Sequence, residues 1–462
     1  MYYKIERFYN QIKGKRVAFC GIGVSNLPLI YKFQKLGADV YACDRRTKQQ
    51  LGNTATELES AGVKMLLGPD YLKNIDVDII FRTPGMNFFL PELVEARKRG
   101  IVVTSEMEVF FDLCPCKLFA VTGSDGKTTT TTLIAKMLET EGYKVHLGGN
   151  IGRALLPIVD EIDANDCAVV ELSSFQLISM RKSPNVSVIT NVAPNHLDVH
   201  KTMAEYIDAK RNIMLHQNAF SRTVLNADND ITASFEKEVR GQAVMFSYKN
   251  PVDNGAYYGA DGCLYMSHNN GRTQVMHRSD IKVIGEHNVE NFLAAISAVW
   301  GYVSPENMLK TAREFKGVEH RIEFVRELDG VKYYNDSIAT SPTRTIAGLA
   351  AFDKKVILIG GGYDKHISFE PLAPHAIEKI KTLILSGPTA EKIEKVIVEH
   401  PDFSASEMEI IHVEDMEQAV SVAHSKAKSG DIVTLSPACA SFDKYANFEI
   451  RGRHFKELVN KL

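Results

Sequence analysis

The sequence lacks three features that would each assign it to a special class of protein. No apolar run approaches the roughly 18 residues of a membrane-spanning helix, so we expect no membrane insertion. The net charge of −3 offers no excess positive charge for binding nucleic acids, so we expect no nucleic-acid partner. The first residues, MYYKIERFYNQIKGK, lack the apolar stretch of a signal peptide, which predicts a cytoplasmic location.

Cysteine is scarce, and its seven positions are scattered at 20, 43, 114, 116, 167, 263 and 439. An odd number of cysteines in a long cytosolic chain does not favour a disulfide framework. Cys114 and Cys116 could bind a metal, but no second pair with suitable spacing accompanies them. We therefore expect reduced and mostly buried thiols.

The length of 462 residues exceeds a single core, and we predict three domains at 1–112, 113–316 and 317–462. Apolar strands such as Asp39–Cys43 and Val77–Phe81 alternate with helical patterns, which predicts parallel α/β sheets. The predicted fold class is α/β, with Rossmann-like first and third domains. Between them we expect a central domain of the P-loop ATPase type, an assignment that depends on residues 119–132, with an extra small antiparallel sheet within 223–283.

Residues 119–132, FAVTGSDGKTTTTT, combine a short apolar strand, a glycine-rich turn and the start of a helix. Backbone N–H groups and the positive end of the helix dipole make such a junction an anion site. Lys127 would add a charge on the outer phosphates, and the Thr128 hydroxyl could bind Mg²⁺. The usual longer loop would place glycine at Val121, so the motif favours a variant nucleotide enzyme over a GTPase or a common ATPase.

A second glycine turn, Gly21–Asn26, resembles the dinucleotide fingerprint, and Asp44 follows about twenty residues later. Asn26 replaces the third glycine of that fingerprint. The pattern leaves open NAD(P), another phosphate-bearing ligand or a purely structural turn.

Further polar residues occur where strands end or helices begin. Glu171 ends an apolar strand, as the Mg²⁺-binding acid of a nucleotide enzyme does. His196 follows a second strand, where either a structural role or a metal or phosphate role is open. Lys210 lies in a helical stretch and by itself reads as a solvated lysine. Asn288 and Asn291, one helical turn apart, can hydrogen-bond a base edge.

Seven segments occur in a distinctive order: TGSDGKTTTT, VELSSFQL, NVAPNHLD, GEHNVEN, EHRIE, YNDSIATSP and SPACASFDKYANFEIRG. Together they resemble the Mur ligase family of peptidoglycan synthesis, and within it the branch that adds D-glutamate. Each motif is modest alone, but the match runs in family order from residue 21 to residue 453. The absence of a D-N-P-R motif favours glutamate over a diamino acid.

The resemblance implies ATP and two Mg²⁺ ions, with Lys127, His196 and Lys210 as catalytic residues and Lys210 carbamylated by CO₂. The implied ATP-binding residues are Gly123, Ser124, Asp125, Gly126, Lys127, Thr128, Thr129, Asn288, Asn291, Arg321 and Asp336. The implied metal-binding residues are Thr128, Glu171, His196 and Lys210.

The resemblance also implies two substrate pockets. The residues for the UDP-sugar substrate are Gly23, Val24, Ser25, Asp44, Arg45, Arg46, Thr83, Gly85 and Asn150. The residues for D-glutamate are Thr340, Lys365, Ser441 and Phe448. The sequence departs from a common pattern at Ile338, where the branch often has a lysine.

The implied activity is ATP-dependent addition of D-glutamate to UDP-N-acetylmuramoyl-L-alanine through an acyl phosphate, by a monomer that acts on small molecules. Three alternatives remain. Another Mur ligase or a folylpolyglutamate synthetase shares the core chemistry. A nicotinamide oxidoreductase depends only on the Gly21–Asn26 turn, and a non-enzymatic nucleotide-binding protein only on the phosphate loop.

Overall fold

Five short segments near the N-terminus form a parallel sheet in the computed structural model. Its strands are β1 (Arg16–Cys20), β2 (Asp39–Asp44), β3 (Lys64–Leu67), β4 (Ile79–Arg82) and β5 (Val102–Thr104). The order across the sheet is β3-β2-β1-β4-β5, and all neighbours run parallel. This order reverses direction at β1, as in doubly wound folds, which confirms the Rossmann-like prediction.

Helices cover this sheet, and aromatic side chains fill the space beneath them. The helices are α1 (Tyr2–Ile12), α2 (Leu27–Lys35), α3 (Lys48–Leu51), α4 (Asn53–Ser60), α5 (Pro91–Lys98) and α6 (Glu106–Leu113). Phe19 of β1, Phe33 of α2 and Phe81 of β4 are all buried, and their ring centroids lie 5.0 to 5.3 Å apart. Burial of such rings is the main favourable term that holds helix to sheet.

The second sheet has nine strands. They are β6 (Lys117–Thr122), β7 (Val145–Gly149), β8 (Cys167–Glu171), β9 (Val186–Ile189), β10 (Arg222–Asn226), β11 (Gln242–Ser247), β12 (Gly255–Tyr258), β13 (Cys263–His268) and β14 (Gly271–His277). The order is β14-β13-β12-β11-β10-β9-β6-β8-β7. The accompanying helices are α7 (Lys127–Glu141), α8 (Ser174–Leu177), α9 (Met203–Leu215), α10 (Asp230–Ser234), α11 (Glu286–Val299) and α12 (Pro305–Glu314).

The antiparallel strands expected within 223–283 are present as β12, β13 and β14. They do not form a separate small sheet, because β12 hydrogen-bonds in parallel to β11 and so extends the second sheet. Gly255 permits this pairing. Its φ is +140°, and a Cβ there would lie 1.6 Å from the Met245 carbonyl oxygen, so no other residue fits without a backbone shift.

Two buried charged residues join the first sheet to the second. Arg82 at the end of β4 donates to the Phe175 carbonyl at 3.1 Å and to the Ser179 hydroxyl at 2.6 Å. Glu106 accepts the backbone N–H groups of Leu155 and Leu156, both at 2.8 Å. Burial raises the pKa of Glu106 to about 7, and the two N–H donors oppose this rise.

The third sheet has six strands: β15 (Glu323–Leu328), β16 (Val331–Asn335), β17 (Val356–Gly361), β18 (Ile380–Ser386), β19 (Glu409–His412) and β20 (Ile432–Leu435). Its order is β15-β16-β20-β17-β18-β19. Its helices are α13 (Pro342–Leu349), α14 (Ala373–Lys379), α15 (Ala390–Val398), α16 (Met416–Lys426) and α17 (Phe448–Lys461). Only the β15–β16 pair is antiparallel, and its turn at Asp329-Gly330 has the positive φ angles that an Asp-Gly hairpin adopts.

The structure describes residues 2–73, 75–193, 202–365 and 367–462. They divide into one unit of Met1–Asp280 with Val289–Arg313 and a second of Ile281–Asn288 with Glu314–Leu462. The boundaries 1–112, 113–316 and 317–462 stay predictions. No helix in the described ranges is long and apolar enough to cross a bilayer. All seven cysteines are free thiols and six are buried, which confirms the prediction of reduced cysteines.

Candidate active site

The phosphate loop lies between β6 and α7 and depends on two glycines. Gly123 has a φ of +153°, and a Cβ there would lie 1.9 Å from the Thr190 hydroxyl oxygen. Gly126 has a φ of +76°, and a Cβ there would lie 2.4 Å from the Asn291 side-chain oxygen. Both positions combine a left-handed backbone with a neighbour that leaves no space, so glycine is required at each.

Replacing Gly126 by alanine tests this packing. We expect a loss of about 2–3 kcal/mol in the free energy of unfolding and weakened ATP binding, since the side chain must displace Asn291. Gly142, at the other end of α7, is the matched control because its φ is +108° and no atom lies within 4 Å of a Cβ built there. Gly142→Ala should lose only about 1 kcal/mol in urea unfolding. Equal losses in the two variants would contradict the argument.

The end of β9 holds the loop in place from the adjacent parallel strand. The backbone N–H of Ser124 donates to the Asn191 carbonyl and that of Asp125 to the Asn191 side chain, both at 2.9 Å. The Thr190 hydroxyl donates to the Asp125 carbonyl at 2.6 Å. These contacts fix the loop conformation at the carboxyl edge of the sheet, where ligands bind in open α/β folds.

Lys127 begins α7, and its ammonium folds back over the loop. Its Nζ donates to the Gly123 carbonyl at 3.0 Å and to the Ser124 carbonyl at 2.8 Å. The positive charge therefore lies directly beside the helix N-terminus, where an anion is already favoured. Thr129 follows two residues later and is buried within α7.

A hydroxyl at the start of α7, a carboxylate at the end of β8 and an amide just after β7 meet beside the phosphate loop. Glu171 ends β8 and is only 1% exposed. One of its oxygens accepts from the Thr128 hydroxyl at 2.7 Å, and the other accepts from the Asn150 amide at 2.8 Å. The Thr128 and Glu171 oxygens are the hard ligands that Mg²⁺ prefers, so this pair fits the predicted ion.

Lys210 lies on α9 and is 2% exposed, so the interpretation as a solvated surface lysine is wrong. Its Nζ donates to the Gly123 carbonyl at 2.6 Å and lies 4.6 Å from the centre of the Tyr206 ring. Burial, reinforced by the positive charge of Lys127, lowers the pKa of Lys210 to about 7. The amine is therefore largely neutral and nucleophilic slightly above neutral pH.

His196 lies outside the described residues. Among those described, Glu319, His320 and Glu323 form the one group of His, Cys, Asp and Glu side chains close enough to hold a metal. Lys456 donates to Glu319 at 2.8 Å and to Glu323 at 2.9 Å, so its ammonium is already paired with both carboxylates of this group. The cluster is an ion-pair network of the second unit.

Asn291 is buried in the first unit, where its side-chain oxygen accepts from the Thr130 hydroxyl at 3.2 Å. Asn288 belongs to the second unit and donates to the Ile284 carbonyl at 2.6 Å. Asn291 thus packs beneath the phosphate loop, and the role of both residues in binding a base stays a prediction.

The first glycine turn is held by an acid and an arginine. Asp44 accepts the Ile22 N–H at 2.8 Å and the Arg46 guanidinium at 2.8 and 2.9 Å, and Arg46 donates to the Ile22 carbonyl at 2.6 Å. Burial alone would raise the pKa of Asp44, but the bonds from Arg46 and Ile22 lower it below its usual value. Asn26 explains the missing third glycine, because its buried amide donates to the Cys20 and Gly21 carbonyls.

The other residues predicted for the UDP substrate surround this turn. Gly23, Val24 and Ser25 follow β1, Arg45 and Arg46 follow β2, and Thr83 and Gly85 follow β4, and these three strands are neighbours. Val24 is 80% exposed, and the Thr83 side chain packs against Gly21. The structure therefore brings all of them except Asn150 to one edge of the first sheet, and Asn150 contacts Glu171.

The second unit gathers the residues predicted for D-glutamate at the carboxyl ends of β16, β17 and β20. Lys365 donates to the Thr340 carbonyl at 3.1 Å. An isolated bridge between Tyr363 and Ala440 places the Lys365 segment beside the buried Ser441. Phe448 begins α17, and its carbonyl accepts from the Ser337 hydroxyl at 2.8 Å.

Asp336 directly follows β16 in the same unit and is buried. It accepts from the Ser436 hydroxyl at 2.8 Å and from the Ile322 N–H at 3.3 Å. Burial raises the pKa of Asp336 to about 7, against these bonds and the charge of Arg321. Arg321 is half-buried in the segment before β15.

Sequence reasoning missed the role of Arg451. This buried residue of α17 donates from all three guanidinium nitrogens, to the hydroxyl and carbonyl of Ser337 and to the carbonyls of Cys439 and Ala440. It therefore ties the ends of β16 and β20 to α17. The one indication of this role in the sequence is the position of the arginine within NFEIRG, one helical turn after Phe448.

Comparison with known proteins places this geometry in a family. Residues 121–299 match the Mur ligase middle domain, and residues 320–439 match the Mur ligase glutamate ligase domain. The UDP-N-acetylmuramoylalanine–D-glutamate ligase of Acetivibrio thermocellus is 53% identical over 99% of both chains. The ligase of the same name from Clostridium acetobutylicum is 52% identical over 98% of both chains.

Solved structures share the fold at low identity. The UDP-N-acetylmuramate–alanine ligase of Thermotoga maritima superposes with a TM-score of 0.58 at 20% identity, over 97% of this chain and 99% of that one. A UDP-N-acetylmuramoyl-L-alanyl-D-glutamate–2,6-diaminopimelate ligase superposes with a TM-score of 0.57 at 17% identity, over 98% and 94% of the two chains. With relatives more than half identical along its whole length, the chain belongs to the Mur ligase family.

Proposed function

We infer that the chain is an ADP-forming ligase of peptidoglycan synthesis that uses ATP to join D-glutamate to UDP-N-acetylmuramoyl-L-alanine. Its near-full-length relatives carry that activity in their names. The observation that carries the inference is the arrangement of Lys127, Thr128, Glu171 and Lys210 around one phosphate loop. This arrangement suits phosphoryl transfer from ATP.

The reaction needs activation, because amide formation from a carboxylate in water is unfavourable. The alanine carboxylate attacks the γ-phosphorus of ATP, the bond to the bridging oxygen breaks, and ADP leaves. The amine of D-glutamate then attacks the acyl phosphate carbonyl, loses a proton and expels phosphate. Such steps depend mainly on positioning and on neutralisation of charge.

We propose that Gly123–Thr129 cradles the phosphates, with Lys127 holding the outer ones. Thr128 and Glu171 would hold one Mg²⁺, and His196 and Lys210 would serve a second. Bound Mg²⁺ supplies positive charge that neutralises the phosphate oxygens. Asn288, Asn291, Arg321 and Asp336 would bind the adenine, ribose and phosphates.

We propose that Lys210 acts as a carbamate. A neutral amine can attack CO₂, forming an N–C bond and releasing a proton to water. The product is an anion beside Lys127, and the exchange of a buried positive charge for a negative one relieves the repulsion between two lysines. The lowered pKa and the burial of Lys210 support this step.

The turn formed by Gly23–Ser25, with Asp44–Arg46 and Thr83–Gly85, would bind the UDP part of the substrate, and Asn150 its sugar–peptide part. Thr340, Lys365, Ser441 and Phe448 would bind D-glutamate. The positive charge of Lys365 beside the Ser441 segment supports this assignment. We propose that the chain acts as a monomer in the cytoplasm.

The test is ADP release with UDP-N-acetylmuramoyl-L-alanine and a panel of amino acids in both chiralities. We expect release that depends on D-glutamate, with L-glutamate and diamino acids inactive. Release that favours another amino acid would instead support a different Mur ligase or a folylpolyglutamate synthetase. Release that ignores amino acids would contradict ligase activity, and binding of NAD(P) would revive the oxidoreductase alternative.

A further inference from the structure

A turn in the second unit, residues 338–340, presents two carbonyl groups to basic side chains. The Ile338 carbonyl accepts from the Arg344 guanidinium at 3.4 Å, and the Thr340 carbonyl accepts from the Lys365 ammonium at 3.1 Å. Both basic residues are exposed at the surface of the unit. Two positive charges thus lie over one short turn, at the carboxyl end of β16.

These charges act on each other and on Arg321. Partial burial and the charge of Arg344 lower the pKa of Lys365, and partial burial and the charge of Arg321 lower the pKa of Arg344. Mutual repulsion of this kind is relieved when an anion binds between the cations.

Paired carboxylates do not offset these charges in the described residues. Asp336 is the acid that acts on Arg344, but it is buried, bonded to Ser436 and Ile322, and shifted toward its neutral form. In the described part of the chain, no carboxylate oxygen lies within 4.0 Å of a side-chain nitrogen of Arg321, Arg344 or Lys365. The turn therefore carries an excess of positive charge that an anionic ligand can neutralise.

Glutamate has two carboxylates, and two basic side chains, Arg344 and Lys365, lie at this turn. Position 338 is isoleucine and contributes no charge itself, but Arg344 brings a guanidinium to its carbonyl. A guanidinium can hold a carboxylate through two parallel hydrogen bonds, which an ammonium cannot do.

We propose that Arg344 is a specificity residue of the proposed ligase, binding one carboxylate of the incoming glutamate while Lys365 binds the other. The inference rests on the proposed function and adds to it a residue that binds the second carboxylate of glutamate. It predicts discrimination against amino acids that lack that group.

The experiment compares Arg344→Gln, Arg344→Lys and the wild type. We expect Arg344→Gln to raise the KM for D-glutamate by about 10- to 100-fold, with the KM values for ATP and the UDP substrate within about twofold of wild type. Arg344→Lys should recover part of the loss. Arg453→Gln, which removes an exposed arginine elsewhere in the unit, should leave all three KM values unchanged.

A second measurement uses D-glutamine, which has the same shape without the second charge. The preference of the wild type for D-glutamate over D-glutamine should shrink in Arg344→Gln by the same factor as the rise in KM. An unchanged KM for D-glutamate in Arg344→Gln would overturn the inference while wild-type turnover of D-glutamate still supported the proposed function. Parallel rises in all three KM values would also overturn it, since they indicate a merely structural role.

Discussion

Replacement of Lys127 by alanine is expected to lower kcat by about 10³-fold or more, because the variant lacks the charge that we propose acts on the transferring phosphoryl group. The loop itself should survive the change. The Gly123 carbonyl keeps Nζ of Lys210 as a donor, and the bonds that Asp125 makes with Thr190 and Asn191 do not involve Lys127. Steady-state ADP release gives kcat, and thermal unfolding reports the fold.

The UDP substrate should still bind to this variant, since its proposed pocket lies on a different sheet, around Asp44. Lys136→Ala is the matched control, because Lys136 lies on the same helix, is exposed and pairs with Glu139 at 2.7 Å. It should keep wild-type kcat. Loss of UDP-substrate binding in Lys127→Ala, measured by calorimetry, would argue against separate sites.

Replacement of Lys210 by methionine is expected to abolish turnover while making the fold more stable at neutral and acidic pH. Methionine matches the length of the lysine stem but removes a buried amine. A pKa that falls from 10.5 to about 7 corresponds to roughly 5 kcal/mol of unfavourable free energy when the buried group is charged.

The pH dependence gives the sign of this effect. Below pH 7 both the folded and the unfolded wild type carry a charged Lys210, so the folded state bears the whole penalty. Above pH 7 the folded amine becomes neutral, and the penalty declines until pH 10.5, where both states are neutral. The advantage of Lys210→Met should therefore be largest near pH 6 and smaller by about 2–3 kcal/mol at pH 9.

Urea unfolding of both proteins at pH 6 and pH 9, in buffer freed of CO₂, measures this difference. Lys136→Met serves as the control, since an exposed lysine should give a stability change that hardly varies with pH. A constant difference between wild type and Lys210→Met across this range would show that the amine is not strained by burial.

Much of the fold was predictable because its elements are locally encoded. The apolar strand before Gly123 and the strand at Asp39–Cys43 appear where their composition places them. The extension of the second sheet by β12 was not predictable, since it depends on the parallel pairing of two consecutive strands, with Gly255 of β12 against the Met245 carbonyl of β11. Pairing of that kind leaves no periodic signal in the sequence.

The sequence predicts which residues form the site better than it predicts their burial and their hydrogen-bond partners. Motifs predict that Thr128 and Glu171 lie together, and they do. The same motifs do not reveal that Lys210 is buried against Gly123, that Arg451 ties together three segments, or that Arg344 reaches the Ile338 carbonyl. Each of these depends on where the folded chain places a side chain, which a short motif does not encode.

Arg82 and Glu106 couple the first sheet to the segments around the second sheet through buried hydrogen bonds. Because their charged groups bond to backbone and hydroxyl partners beyond the predicted boundary at residue 112, we expect that residues 1–112 cannot be exchanged freely for another domain. A foreign domain without an acid at the position of Glu106 would leave the Leu155 and Leu156 amides without their acceptor. Inheritance of the two sheets as a single block is the simplest way to keep both partners.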